Sequence, residues 1–212
     1  MNALRSLITR VVWLAPALVL AQGCAPMFSD ARLVGRGQTE LTASLTPTGA
    51  SVMGDSRHLM NDFRVQGMHG LTDRLDLGVG YARLQMTRGG AGAHAIGFGP
   101  KLSVVPDRVA VAVRTGFLFG DEVPVAASWH LDPTLLFTVP LTDRVDLNPS
   151  VRFLIPFCED CETLVGFNVG VGISPGSRRL KLRPEIGLLF SPRESGVVWT
   201  MGLGLSFQTR PH

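Results

Sequence analysis

The run Val109-Ala110-Val111-Ala112-Val113-Arg114-Thr115-Gly116-Phe117-Leu118-Phe119 alternates strictly. Its odd positions are bulky and, Thr115 apart, apolar, while its even positions are Ala, Ala, Arg, Gly and Leu. A period of two sends successive side chains to opposite faces, so this is a strand with one apolar face and one of mostly small residues. The following segments obey the same rule. Trp129, Leu131, Pro133, Leu135, Phe137 and Val139 oppose Ser128, His130, Asp132, Thr134, Leu136 and Thr138. Val145 to Phe157 sets Val, Leu, Pro, Phe and Ile against Asp146, Asn148, Ser150, Arg152 and Leu154. Val165, Phe167, Val169, Val171 and Ile173 oppose Gly166, Asn168, Gly170, Gly172 and Ser174, and 180–190 and 197–207 continue the pattern. Helix is excluded across this region.

The breaks are of two kinds. Leu71-Thr72-Asp73-Arg74, Pro106-Asp107-Arg108 and Leu141-Thr142-Asp143-Arg144 are near-copies of one tight turn, and Pro175-Gly176-Ser177-Arg178 is a relative. More varied loops fall at 47–57, 87–92, 120–124, 158–163 and 191–196. Ten strands result: 32–46, 58–70, 75–86, 93–105, 109–119, 125–140, 145–157, 164–174, 180–190 and 197–207. Hairpins at this spacing predict an antiparallel meander, closed as a barrel or folded as a sandwich.

The polar phase separates a soluble β-protein from a membrane one. A solvated face would be rich in Lys, Glu and Thr; here it is mostly Gly, Ala, Ser and Asn with isolated charges, which suits a cramped lumen. Of the 212 residues 24 are Gly and only 17% are charged, and the mean hydropathy is +0.23. That balance is the reverse of a disordered chain. The opposite phase is almost free of charge, with Arg83 the main exception. Strands of about 9–11 residues with an apolar outer face are what a transmembrane barrel needs. Phe119, Trp129, Phe157, Phe190 and Trp199 all lie on the apolar phase beside the varied loops, as an aromatic girdle at one interface would. The expected fold is an all-β, antiparallel up-and-down transmembrane barrel of about ten strands.

Residues 1–23 read as a signal peptide. Arg5 and Arg10 supply the basic start, Val11 to Leu20 the short apolar stretch, and Ala21-Gln22-Gly23 the small residues of a cleavage site. Gly23-Cys24 resembles the end of a lipobox, although Ala21 stands where Leu is usual; ordinary cleavage fits as well. Three cysteines are an odd number, and Cys158 with Cys161 form a local pair. Lipidation of Cys24 would leave those two to close a disulfide in an oxidising compartment. After the leader, 24–31 is expected as a short periplasmic lead-in, 32–207 as the barrel and 208–212 as a tail. The isoelectric point near 9.1 hints at nucleic acid. Yet removing the two leader arginines from 20 basic residues leaves 18 against 17 acidic ones. No basic patch or RNA-binding motif survives.

Over nearly its whole mature length the chain resembles the small bacterial outer-membrane β-barrels. Gly70-Leu71-Thr72-Asp73-Arg74-Leu75-Asp76-Leu77-Gly78-Val79-Gly80-Tyr81 looks like their periplasmic turn and following strand. Thr200, Gly202, Leu205 and Phe207 are similar to the signal read by the barrel-insertion machinery, although Gln208 to His212 trail past the aromatic that usually closes it. The resemblance implies an outer-membrane location with both termini periplasmic, and lipids and the insertion machinery as partners. It says little about role, since one fold hosts many. A lipoprotein-like leader on a small barrel also looks like certain components of gliding-motility machinery.

The inward phase is expected to carry Glu40, Asp62, Asp76, Asp132, Asp146 and Glu185 against Arg36, Arg64, Lys101, Arg114, Arg152, Lys181 and Arg183, with His130 among them. Near balance in a narrow lumen implies a paired network, because an unpaired buried charge is costly. Ten strands also leave an interior that side chains can largely fill. Ser128, His130 and Asp132 hint at a triad, but alternate residues of one strand stand about 7 Å apart and do not meet. Cys158-Glu159-Asp160-Cys161 lacks further ligands for zinc. No catalytic residue, metal or cofactor is expected. The function expected is a non-enzymatic barrel with a structural or docking role among envelope proteins, gliding motility being one setting. A narrow channel and a lipid-modifying hydrolase are the alternatives.

Overall fold

The structure is a computed structural model that describes residues 28–52, 55–87, 92–120, 129–158, 161–176, 179–192 and 196–209. The expected signal peptide, Cys24 and Ser128 lie outside the described residues. Ten strands follow in order: β1 (Thr39–Val52), β2 (Asp55–Gly70), β3 (Leu75–Met86), β4 (Gly92–Val105) and β5 (Val109–Phe119). Next come β6, in two pieces (Trp129–Phe137 and Val139–Pro140), then β7 (Val145–Pro156), β8 (Leu164–Ile173), β9 (Leu180–Phe190) and β10 (Val197–Gln208). Each pairs antiparallel with its sequence neighbours, and β10 pairs with β1 through Glu40↔Gln208 to Ser51↔Val197. The sheet therefore closes on itself and has no free edge, the barrel that the alternation predicts.

The two phases divide as the residues require. Val79, Ile186 and Met201 are outward and about 60% exposed, at 60%, 58% and 58%. Ala110, Ala112 and Asp76 are inward and fully buried. A closed sheet whose exposed side is apolar and whose backbone bonds are satisfied internally is one of the two structures a hydrocarbon layer accepts. Near the varied loops the outer aromatics touch one another. Tyr81, His94 and Phe119 stack in sequence, and Phe117 bridges Phe119 to Trp129. Phe190 stacks on Phe167, and the Trp199 indole N–H donates to Ser56 Oγ at 3.0 Å.

The two Leu-Thr-Asp-Arg turns share one geometry because they share one sequence. In both Leu-Thr-Asp-Arg copies the Leu and Thr amides donate to the carbonyl of the residue after Arg (Leu75 or Val145), and the threonine hydroxyl accepts the Arg amide at 3.2 Å. A second bond ties each turn to the next strand around the barrel. The carbonyls of Arg74, Arg108, Arg144 and Arg179 accept from the amides of Ser103, Thr138, Ser174 and Gln208, at 2.8–3.0 Å.

Several strand ends shift by one to three residues, and three differences from expectation change the reading. The first strand begins at Thr39, not residue 32, because Gly35 and Gly37 take positive φ (96° and 73°) and turn the chain inward. Residues 28–34 consequently lie inside the barrel rather than ahead of it. The expected loop at 47–57 is mostly strand. Pro47 falls where the β1–β10 ladder skips from Leu45↔Leu203 to Thr48↔Thr200, so its missing N–H costs no bond there. Gly49 follows a bulge and is overlaid by Trp199, whose ring would lie 2.2 Å from an added Cβ. At the other end Gln208 belongs to β10, so the tail begins one residue later than expected.

An arginine in the middle of the outer band should be expensive. Ile186→Arg is expected to lower stability by about 2–4 kcal/mol, read as a shift in the urea midpoint for folding into lipid vesicles.

Candidate functional site

The chemistry-bearing residues converge in the lumen, in three layers. The middle layer is polar. Arg64 pairs with Asp62 at 2.7 Å, and Arg152, fully buried, approaches Asp132 at 3.8 Å. Thr134 donates to Asp132 at 3.2 Å, and Arg114 donates to Gln66 at 3.3 Å. His130 is also buried, and its ring lies over Gly116, where an added Cβ would come within 2.1 Å. A cavity of about 30 Å³ among Arg64, Arg114, His130 and Asp132 has room for about one water.

The layer toward the tight turns is built around the N-terminal segment. The Phe28 amide donates to Glu185 at 3.0 Å, and the Phe28 ring lies against Gly202 and Gly204, where added Cβ atoms would come within 2.6 and 2.8 Å of it. Asp30 meets Lys181 at 2.8 Å and Arg183 at 3.1 Å. Arg183 also reaches Glu40 at 3.1 Å. Arg32 forks onto Asp146 at 2.7 and 2.8 Å, while its carbonyl accepts from Lys101 at 2.6 Å. The Val34 amide donates to Asp76 at 2.9 Å, and Asp76 faces Lys101 at 3.4 Å. Gln208 closes the array by donating to the Val34 carbonyl at 2.7 Å. Burial alone would raise the Asp30 carboxyl, but Arg183, Lys181 and Lys101 outweigh it and hold the group well below the ordinary carboxylate range.

Toward the varied loops the lumen becomes apolar. Met60, Ala82, Leu84, Ala95 and Leu118 form one cluster, and Leu154, Leu164 and Leu189 a second. Cys158 and Cys161 are joined by a disulfide and pack against the first cluster.

Of the residues that the alternation assigned to the lumen, Glu40, Asp62, Arg64, Asp76, Lys101, Arg114, His130, Asp132, Asp146, Arg152, Lys181, Arg183 and Glu185 all lie on the inner phase. Arg36 does not. It is exposed beside its bridge to Gly70, because the chain has already left the lumen there. Sequence reasoning missed Phe28, Asp30 and Arg32. The signal for them was the odd charge balance, since exchanging Arg36 for Arg32 and adding Asp30 turns six acids and seven bases into seven of each. His130 and Asp132 are two residues apart on one strand and face inward. Thr200 and Gly202 of the expected assembly signal point inward, whereas Leu205 and Phe207 point out. Among the described residues no group of three His, Cys, Asp or Glu could hold a metal.

No family model and no curated protein matches the chain. Solved structures similar to it include the translocator domain of the autotransporter NalP from Neisseria meningitidis, 10% identical with a TM-score of 0.48, covering 82% of this chain and 88% of that one. The attachment invasion locus protein Ail of Yersinia pestis is 9% identical with a TM-score of 0.39, over 82% and 99%. The N-terminal β-barrel domain of Pseudomonas aeruginosa OprF is 11% identical with a TM-score of 0.37, over 82% and 99%. At such identities and scores the likeness carries no functional argument.

Removing the Asp30 charge strands Lys181 and leaves Arg183 with Glu40 as its one carboxylate partner. Asp30→Asn is expected to destabilise the folded barrel by about 3–5 kcal/mol, the cost of breaking a buried pair from one side. Because the Asp30 carboxyl is depressed, its contribution is full above its ordinary value of 3.8 and is lost as pH falls below it toward the folded value. The gap between wild type and variant in thermal unfolding should thus be flat from pH 7 to pH 5 and narrow only below about pH 4.

Proposed function

We propose that the protein is a non-conducting outer-membrane β-barrel that serves as an anchor or docking body for other envelope proteins. One observation carries this reading: the lumen is filled. Its own N-terminal segment occupies the tight-turn end, ion pairs occupy the middle, and apolar side chains occupy the loop end. A barrel filled in this way has its accessible chemistry on its outside and its two mouths. The outer-membrane setting is supported by the closed ten-strand sheet and its apolar exterior. Both barrel ends of the chain lie at the same mouth, since Glu40 pairs with Gln208. The periplasm is the side proposed for that mouth, and a lipid on Cys24 would add an anchor there. Nothing in the structure points to gliding motility as the setting.

The lipid-hydrolase alternative loses ground because His130 is buried behind the barrel wall, away from any lipid-facing surface. The narrow-channel alternative retains one supporting feature. A mouth of about 560 Å³ opens at the tight-turn end, lined by Asp107, Arg108, Asp143, Arg144 and the plug residues Asp30 and Arg32. Conductance separates the two readings. The purified full-length protein in planar bilayers is expected to give no discrete current steps at 100 mV in 1 M salt, conditions in which an open pore conducts. Regular single-channel steps would sink the non-conducting reading. In crosslinked native membranes the docking role predicts a stoichiometric envelope partner, and recovery of the barrel alone counts against it.

A further inference from the structure

The N-terminal segment touches several strands of the barrel at once, and its contacts include the seam between β6 and β7. That ladder is interrupted twice. Pairs run His130↔Pro156 and Leu131↔Ile155, resume from Thr134↔Arg152 to Leu136↔Ser150, and resume again at Val139↔Leu147 and Pro140↔Asp146. Pro133 lies in the first gap and Pro149 opposite the second, and neither has an N–H to donate. The β2–β3 seam, by contrast, pairs without a break from Met60↔Met86 to Gly70↔Asp76. In hydrocarbon no water replaces a missing ladder bond.

On the lumen side, a side-chain bond spans the second gap, and the segment holds it in place. The Ala31 amide donates to Thr138 Oγ1 at 2.8 Å, and that hydroxyl donates across the gap to Asn148 Oδ1 at 2.9 Å. Ala31 also packs among Ala110, Ala112 and Leu136 of β5 and β6. One residue on, the Arg32 fork grips Asp146 of β7. Two strands further round the barrel, β9 supplies the counter-hold, with Lys181 and Arg183 on Asp30 and Glu185 on the Phe28 amide. Outside the bridge at Arg36 the segment adds no strand to the sheet. The Arg32 side chain, 36% exposed, borders the mouth at the tight-turn end. Side chains and single amides thus hold the segment, the way a bound peptide is held.

We infer that the tight-turn half of the lumen is a binding site for an extended peptide of acid–small–base pattern, that Phe28–Val34 occupies it as a displaceable ligand, and that this occupancy holds the β6–β7 seam shut. The carboxylate of such a peptide meets Lys181 and Arg183, its small residue fits the alanine-lined wall, and its guanidinium meets Asp146. Traction on the chain ahead of Phe28, or a competing peptide of the same pattern, frees Thr138 and lets the wall part toward the bilayer. The inference is independent of the docking role.

The test uses the full-length protein in lipid nanodiscs. Backbone hydrogen exchange is followed along β6 and β7, with β2 and β3 as the internal reference, and thermolysin cleavage at Leu33 reports release of the segment. Arg32→Glu is expected to expose Leu33 and to raise exchange across 134–140 and 146–152 at least roughly tenfold, leaving β2 and β3 unchanged. The reciprocal pair Arg32→Glu with Asp146→Arg restores both. Heat-modifiable mobility on gels shows whether each variant is folded. If Arg32→Glu is not, Thr138→Val, which removes the bridging hydroxyl alone, takes its place. A segment that stays uncut in the folded variant overturns the recognition pattern. A segment that is cut while the seam stays protected overturns the lock.

Discussion

A backbone in hydrocarbon must satisfy every N–H and C=O from within the chain, and the closed ladder from β1 round to β10 meets that demand apart from the gaps at its prolines. The rest of the structure depends on this closure. It fixes which residues face lipid and which share the lumen, and it brings both ends of the sheet to one mouth through Glu40↔Gln208. Closure also makes each proline consequential. Pro47, Pro133 and Pro149 all stand in or opposite a ladder gap. At the β6–β7 seam the protein places a second support from inside.

Closure creates the second problem, a lumen too narrow to hydrate its charges freely. The solution is neutralisation by contact. Asp62 has Arg64, Asp132 has Arg152, Glu40 and Asp30 share Arg183, and Asp146 has Arg32. Two of these pairs are completed only by the N-terminal segment. Small wall residues make the filling possible, since Gly202 and Gly204 leave the space that the Phe28 ring takes and Gly116 leaves that of the His130 ring. Gly202 therefore serves two ends: it sits in the expected assembly signal and it seats the plug.

Much of this was legible in the chain. Strict alternation located the strands, and β3 and β5 match their expected ranges to the residue. The inner charges followed from phase alone, because a period of two leaves no choice of face. What misled were residues whose usual meaning is a turn. Pro47 and Gly49 sit within β1, one excused by a ladder gap and the other required by Trp199. In the opposite sense, Arg32 to Gln38 resembled a strand, yet Gly35 and Gly37 bend it out of the sheet. Local pattern is blind to both, because each is decided by a partner more than a hundred residues away or by a backbone angle that only glycine adopts readily.

By itself the sequence determined the strand number, the two faces, the copied turns and the near balance of buried charge, because each rests on local periodicity and composition. Only the tertiary structure decided where the N-terminal segment goes. Phe28–Val34 has no period of its own and forms no ladder, so its place is set by Glu185, Lys181, Arg183, Asp146 and Thr138, which converge on one point only once the sheet has closed. A filled lumen, and with it the choice between a pore and a plugged body, is a property of that convergence: no residue encodes it until opposite walls face each other across the barrel.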